Sequence, residues 1–298
     1  MTDRWADYWA GSGGRSGGCL PNAAGGARAA LDRLWRDFAR DLPAKARLLD
    51  LATGDGAVPR TIRAARRDLV LTGVDSAPAL PPAPAGIRLQ AGVAMERLPF
   101  ADAAFDAVTS QFGIEYGDVA RIAAEAARVL KVGGRLRAAV HHAAGAIVGH
   151  NLGRRDALGW AVGESGLLDR GRRLAAARAA AALPTPRSFR AAIEQARTSF
   201  PGQTAAAEFA AAVADTLDMG ASRPPRETLE VLATLEARGR AEIARLDALA
   251  KAARDEEGIG RLADALGAAG LAVSPPRPLA ESPSGGGVIA WVVDAARA

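Results

Sequence analysis

The chain has 298 residues, 49% of them hydrophobic, enough to bury a core in one elaborated domain or two. Its one cysteine, Cys19, excludes an intrachain disulfide; no apolar run reaches membrane-span length and the N-terminus lacks a signal-peptide pattern, so cytoplasm is the default and membrane insertion is not expected. The net charge of +5 is too small to argue for nucleic acid, and 35 arginines against three lysines partly reflect coding bias.

In chain order, residues 1–44 read as an N-terminal helical cap. Met1 to Gly26 is polar and glycine-rich, with a short helix expected around Trp5, Tyr8 and Trp9. Ala27 to Arg40 carries Leu31, Leu34, Trp35 and Phe38 at helical spacing. Residues 45–150 alternate strands at 47–52, 69–74, 87–91, 105–111 and 134–141 with helices near 57–66 and 118–130. Such alternation predicts a parallel sheet covered on both faces, binding ligands outside the carboxyl ends of its strands. From 151 to 257 the β pattern disappears. Thr204 to Leu217 and Arg226 to Arg254 read as helices, the second opened by Pro224-Pro225, with an apolar stripe interrupted near Gly239. Ala175 to Ala182 is a further good helix former. Residues 258–298 resume the alternation, with a helix at 258–269, a strand near Leu271-Ala272-Val273 and a last strand from Val288 to Val293. The expected fold is α/β: a doubly wound, mostly parallel seven-stranded sheet with a helical insertion after the fifth strand.

Leu48 to Gly56, L-L-D-L-A-T-G-D-G, reads as a buried strand, an acid, and a glycine turn opening onto a helix. Gly54 and Gly56 let the turn backbone approach a ligand without Cβ clash. Nineteen residues past Gly56 the next apolar run ends in Asp75, placed to accept hydrogen bonds from ribose hydroxyls. A nucleoside cofactor is implied. A dinucleotide fingerprint would need G-x-G-x-x-G to seat a pyrophosphate on the helix N-terminus. Here Pro59 occupies the third glycine position, and Asp50 would repel a pyrophosphate but suits a cation or an amino group.

The arrangement D-x-A-x-G-x-G at Asp50, Ala52, Gly54 and Gly56 resembles motif I of the class I S-adenosylmethionine-dependent methyltransferases. Three further segments resemble that family in the same order. Met95 to Phe100 resembles its D-A-E-x-L-P-F, Phe105 to Val108 its F-D-x-V, and Arg128 to Gly134 its R-V-L-K-P-G-G turn. The resemblance covers about 45 to 145 and is nearest to the small-molecule branch that contains the ubiquinone-biosynthesis type enzymes. It implies a Rossmann-like fold with the last strand antiparallel, S-adenosyl-L-methionine as cofactor and S-adenosyl-L-homocysteine as product.

By the family pattern, Asp50 helps hold the methionyl amino group. Gly54 and Gly56, with Leu51 and Ala52 beside them, form the floor under the methionine part and the ribose. Asp75 takes the ribose hydroxyls next to Ser76, the Met95 backbone beside Ala94 faces the adenine with Leu98 and Phe100 nearby, and Gln111 contacts the methionyl part. Two residues depart from the pattern. Ala52 replaces the first glycine of motif I, a change the turn should tolerate. Ala94 stands where the family often has an Asp accepting the adenine amino group; losing one hydrogen bond costs about 1 kcal/mol, so weaker adenine selectivity is expected, not lost binding.

His141 and His142 end the fifth strand, and Glu115 and Tyr116 follow the fourth. These four are the candidate catalytic residues, with histidine as the proton acceptor suited to neutral pH. Adjacent strand residues face opposite ways, so one histidine should reach the pocket; strand-end and loop residues satisfied by backbone or solvent are the blander alternative. With His150 the spacing is H-H-x7-H, which fits no common ligand pattern, and no metal is expected. Cys19 reads as an idle thiol. The insertion is expected to act as an acceptor lid. Its nine arginines against four acids between Arg154 and Arg197 would suit an anionic acceptor, or simply a solvated helix face. The helix at 226–254 would either pair in a homodimer or pack on its own domain. The expected function is in-line methyl transfer to a small metabolite or natural product, with histidine-assisted deprotonation of the acceptor. The alternatives are a peptide or RNA acceptor, or a cofactor-binding protein without turnover. RNA is disfavoured because no aromatic-basic RNA module is present, and Ser110-Gln111-Phe112-Gly113 stands where an N-P-P-Y type motif would lie.

Overall fold

The computed structural model describes residues 25–282 and 286–298. The helix expected around Trp5, Tyr8 and Trp9, and Cys19, lie outside the described residues. The chain forms two units, Met1–Gly149 with Leu249–Ala298, and His150–Ala248. Residues 249–257 therefore belong with the α/β part and not with the insertion.

The strands are β1 Arg47–Leu51, β2 Val70–Val74, β3 Ile87–Gln90, β4 Phe105–Gln111, β5 Leu130–His141, β6 Leu271–Val273, β7 Arg277–Ala280 and β8 Val288–Arg297. The helices are α1 Gly25–Arg40, α2 Ala57–Ala65, α3 Val119–Val129, α4 Ala146–Gly159, α5 Leu167–Ala177, α6 Arg187–Ser199, α7 Ala205–Met219, α8 Pro225–Ala252 and α9 Glu256–Ala268. The sheet order is β3-β2-β1-β4-β5-β8-β6. Strands β1 to β5 run parallel and β8 is antiparallel to β5, as the resemblance implies.

β7 is an eighth strand that the sequence pattern leaves as a connection. It lies end to end with β6 along β8, β6 against Ala295–Arg297 and β7 against Val288–Val292. Pro275 and Pro276 fall between them, and proline offers no N–H to a ladder. β5 also begins earlier than expected, inside the segment read as a turn. Leu130 pairs with Phe105, and the register shifts before Ala107 meets Arg135.

One face of the sheet packs Leu49, Leu51, Val74 and Phe105 against Ile122 of α3 and Ile259, Leu262 and Leu266 of α9. In α1, Leu31, Leu34, Trp35 and Phe38 are buried as their spacing predicts. Each such side chain stabilises the fold by about 1.5–3 kcal/mol. Asp118 and Asp255 cap α3 and α9 by accepting from the amides of Arg121 and Gly258. The segments joining β2 to β3 and β3 to β4 carry no helix; Pro78, Pro81, Pro82 and Pro84 occupy the first of them.

The second unit has its own core, including Leu158, Leu167, Phe189, Leu217, Leu232 and Leu246. The alanine run at 175–182 is only partly helical. α5 stops at Ala177, and Arg178 donates to the carbonyls of Leu183 (2.8 Å) and Leu217 (2.6 Å) ahead of Pro184 and Pro186. α8 runs unbroken through Gly239. A Cβ at Gly239 would lie 2.6 Å from Val162 Cγ2, so the gap in the apolar stripe marks close helix approach. Five of the nine arginines between 154 and 197 form ion pairs within the unit: Arg154 with Glu242, Arg155 with Asp247, Arg172 with Glu236, Arg190 with Asp215 and Asp218, and Arg197 with Glu194. Arg170 lies over the Phe189 ring and Arg178 donates to carbonyls, so most of these arginines have structural partners and give no particular support to an anionic acceptor. No described helix is long and apolar enough to cross a membrane.

Candidate active site

Asp50 is the fourth residue of β1, in register with Gly73 on one side and Thr109 on the other. Thr109 Oγ1 donates to Asp50 Oδ1 at 2.7 Å. Gly73 leaves room for Thr53, whose hydroxyl a Cβ there would strike. Only 1% of Asp50 is exposed. Burial pushes its carboxyl up to about 7, against the pull of the Thr53 and Thr109 hydroxyls and with reinforcement from Asp75 and Asp55.

Asp75 follows β2 directly and fixes the turn above it. Its Oδ2 accepts from the Gly54 amide at 2.9 Å and its Oδ1 from Ala77 at 3.0 Å. Asp55, also buried, accepts from Arg60 at 2.7 Å. Three buried carboxylates thus meet at one glycine turn. Asp55 was not singled out from the sequence, although its place between Gly54 and Gly56 was the available signal.

Gly54 and Gly56 take φ of 52° and 77°, and Ala52 takes 52°. The left-handed region costs a residue with a Cβ about 1–2 kcal/mol, so the turn accepts Ala52 only under strain. Leu51 has its side chain in the sheet core and its carbonyl bonded to Ser110 Oγ at 3.1 Å, so it offers a ligand no side chain. Ser76 and Ala94 are exposed, and Met95 is half-buried against the core. Gln111 Oε1 accepts from Trp35 Nε1 at 2.7 Å, tying α1 to the end of β4.

Two of the sequence motifs prove to be physically joined. Arg128 donates to the carbonyls of Phe100 (2.7 Å) and Leu98 (3.1 Å), and pairs with Asp102 (2.8 Å) and Glu125 (2.7 Å). Glu125 in turn accepts from the Leu98 amide at 2.6 Å. The R-V-L-K segment therefore anchors the L-P-F segment.

At the ends of β4 and β5, Glu115 Oε1 accepts from the His141 amide at 3.0 Å and lies 2.8 Å from its ring Nδ1. Phe112 stacks on the imidazole at 4.2 Å and Tyr116 meets it edge-on at 5.9 Å. Neither the Glu115 nor the His141 side chain exposes any surface (0% for both). His142 leaves this group and stacks on Trp291 at 4.5 Å, as strand alternation requires. Burial holds its pKa below the usual histidine value, opposed by Glu256. Arg254 joins the two halves of the arrangement and carries no sequence signal, because three of its four contacts here run through its backbone. Its N–H donates to the His141 carbonyl (2.8 Å), its Nη2 to the Glu115 carbonyl (2.9 Å), and its own carbonyl accepts from Ala143 and Trp291.

Residues 49–138 match the family described as a methyltransferase domain. A demethylmenaquinone methyltransferase from Thermotoga maritima is 37% identical over 114 residues, 36% of this chain and 49% of that protein. A second, from Corynebacterium kroppenstedtii, is 37% identical over 112 residues, 36% of this chain and 48% of its own. The chain thus spans about half the length of the curated relatives it matches. A solved S-adenosylmethionine-dependent methyltransferase from Methanosarcina mazei aligns over 88% of this chain and 96% of its own at 14% identity and a TM-score of 0.40. The matched sequence, the strand order and the antiparallel last strand agree with the resemblance that the motifs carry: residues 49–138 are similar to a methyltransferase domain, and the relatives they match include demethylmenaquinone methyltransferases.

Proposed function

We propose that this chain transfers a methyl group from S-adenosylmethionine to a small acceptor, of the class named for its menaquinone-type relatives. The observation that carries this reading is the turn at 50–56. A buried carboxyl held near neutrality beside two others has most to gain from a cation, which would restore its ionised form. A sulfonium ligand that also bears an ammonium group fits that donor set, and a pyrophosphate does not. Asp50 would hold the ammonium group, Asp75 the ribose hydroxyls, and the backbone at Gly54 and Gly56 would lie under the ribose. The cofactor, when bound, supplies a methyl group already activated for displacement. The chain's own part is to align the acceptor and exclude water.

Where the acceptor must lose a proton, His141 is the residue we assign to take it. A carboxyl group on Nδ1 fixes the ring and its orientation, and Gly113 packs against Ala52 of the cofactor turn two residues from Glu115. Access to the imidazole requires the Phe112 and Tyr116 rings to part. His142 and Tyr116 are assigned to the walls. Acceptor selection is assigned to the insertion on chain order alone, since it follows directly on the strand that ends in His141.

The test uses S-adenosylmethionine with a deuterated methyl group, demethylmenaquinone and a cell extract, followed by mass spectrometry of small-molecule, peptide and RNA fractions. Label in a small molecule supports the reading. Label confined to peptide or RNA overturns it, and cofactor binding without label in any fraction points to a binding protein.

A further inference from the structure

We propose a second binding site, for a small organic phosphate, at the amino ends of β1, β2 and β3, the opposite end of these strands from the cofactor turn. A depression of about 590 Å³ opens there, lined by Arg47, Arg63, Arg67 and Arg88 around Val70 and Thr72. Its volume falls in the range of small-molecule sites. Register explains the floor. Arg47 pairs with Val70 and Thr72 with Arg88, and side chains two apart share a face, so these four project from one side of the sheet. No helix crosses between β3 and β4, and Val70 is left 53% exposed.

No direct ion pair neutralises this group: among the described residues, none of these four arginines has a carboxylate within 4.0 Å, whereas nearby Arg66 and Lys131 are paired. Asp68, the one acid in the lining, is held by Arg66 through two bonds of 2.8 and 2.9 Å, which keep its carboxyl well below the usual range. Asp106, within electrostatic reach of Arg47, is engaged by Lys131 at 2.7 Å and by the Arg47 amide at 2.8 Å.

Two of the guanidinium groups are also held in place. Arg47 lies over the Phe105 ring at 5.4 Å. Arg63 donates to the Arg67 carbonyl and rests on Gly86, where a Cβ would come within 2.5 Å of Nη2. Convergent guanidinium groups bind phosphate oxygens through paired, charge-assisted hydrogen bonds, and an exposed valine floor suits an apolar body attached to the phosphate. A diphosphate ester meets both features.

Calorimetric titration of the full chain with uridine diphosphate and with inorganic pyrophosphate, in saturating S-adenosylhomocysteine, tests the site. The proposal expects both to bind, uridine diphosphate at least threefold more tightly, each weakening as salt rises. Arg47→Gln with Arg88→Gln should weaken both at least tenfold, and Val70→Glu should do the same without removing an arginine. Arg226→Gln, on the exposed face of α8, should leave both unchanged. Equal loss in Arg226→Gln, or no binding of either anion at 1 mM, overturns the proposal. Pyrophosphate binding without preference for uridine diphosphate overturns the apolar floor.

Discussion

Ala52 and Gly113 share a space that only one methyl group can fill. An ideal Cβ on Gly113 would stand 2.5 Å from the Cβ of Ala52, and 2.8 Å from Ser110 Oγ. Ala52 holds its methyl there at φ 52°, in the left-handed region. Ala52→Gly should therefore raise stability by about 1 kcal/mol. Gly113→Ala should lower it by about 1–3 kcal/mol through overpacking. In the double variant part of that loss should return, because the glycine at 52 makes room. Urea unfolding of the three variants checks this; strict additivity would mean that the two sites do not touch.

Asp50 makes stability depend on pH in a direction opposite to that of most paired carboxylates. Its carboxyl is pushed up to about 7 in the folded chain, against about 4 for an aspartate in an unfolded chain. Between those limits the folded state keeps a proton that the unfolded chain has released. Its contribution is fullest at low pH, falls as pH rises from about 4 to about 7, and then levels off. From pH 5.5 to pH 8 this group should cost on the order of 1–2 kcal/mol, and Asp50→Asn should remove that slope. A cation bound beside the carboxylate favours ionisation, so cofactor affinity should rise across the same window in the native chain and stay flat and weak in Asp50→Asn. Titrations with S-adenosylmethionine at pH 6 and pH 8 measure it.

Glu115 supports two donors of one residue, the amide and the ring of His141. Glu115→Ala should destabilise the protein by about 3 kcal/mol, because it leaves both donors buried without that acceptor. Glu115→Gln keeps an acceptor and should cost about 1 kcal/mol. If His141 takes a proton from the acceptor, Glu115→Gln should also lower kcat roughly 10- to 100-fold and move the acidic limb of the pH–rate profile, with S-adenosylhomocysteine affinity unchanged. A variant that folds normally with an unshifted profile would reduce the pair to a brace.

Arg128 fastens the segment that runs past Met95 to Phe100. Arg128→Lys keeps the charge and loses the fork. It should weaken S-adenosylhomocysteine binding by about tenfold and lower stability by about 1–2 kcal/mol. Hydrogen exchange should accelerate at Leu98 and its neighbours, with α9 unaffected.

Much of the sheet was legible because its signals are local. Parallel strands buried on both faces leave apolar runs, and the turn at 50–56 shows its glycines directly. The glycines also misled where their reason was tertiary. Gly239 breaks an apolar stripe in sequence, yet in the fold it allows contact with Val162 and Phe209. The arginines of 154–197 suggested a ligand because partners that neutralise some of them, Glu242 for Arg154 and Glu236 for Arg172, lie far along the chain. The pairing of His141 with Glu115 follows from the adjacency of β4 and β5, while the Arg254 link depends on a loop register that no residue type announces.

The prolines beside β8 bear on life in a crowded solution. Strand edges invite neighbouring chains to add themselves to a sheet. Here the last edge is made of the short pieces β6 and β7, with Pro275 and Pro276 between them and Pro278 within the second. At the far edge β3 is four residues long and carries Arg88. A second molecule seeking to extend the sheet finds at one border too few amides in line, and at the other a charge. The order of strands that builds the glycine turn at 50–56 thus leaves both borders poorly suited to unwanted polymerisation.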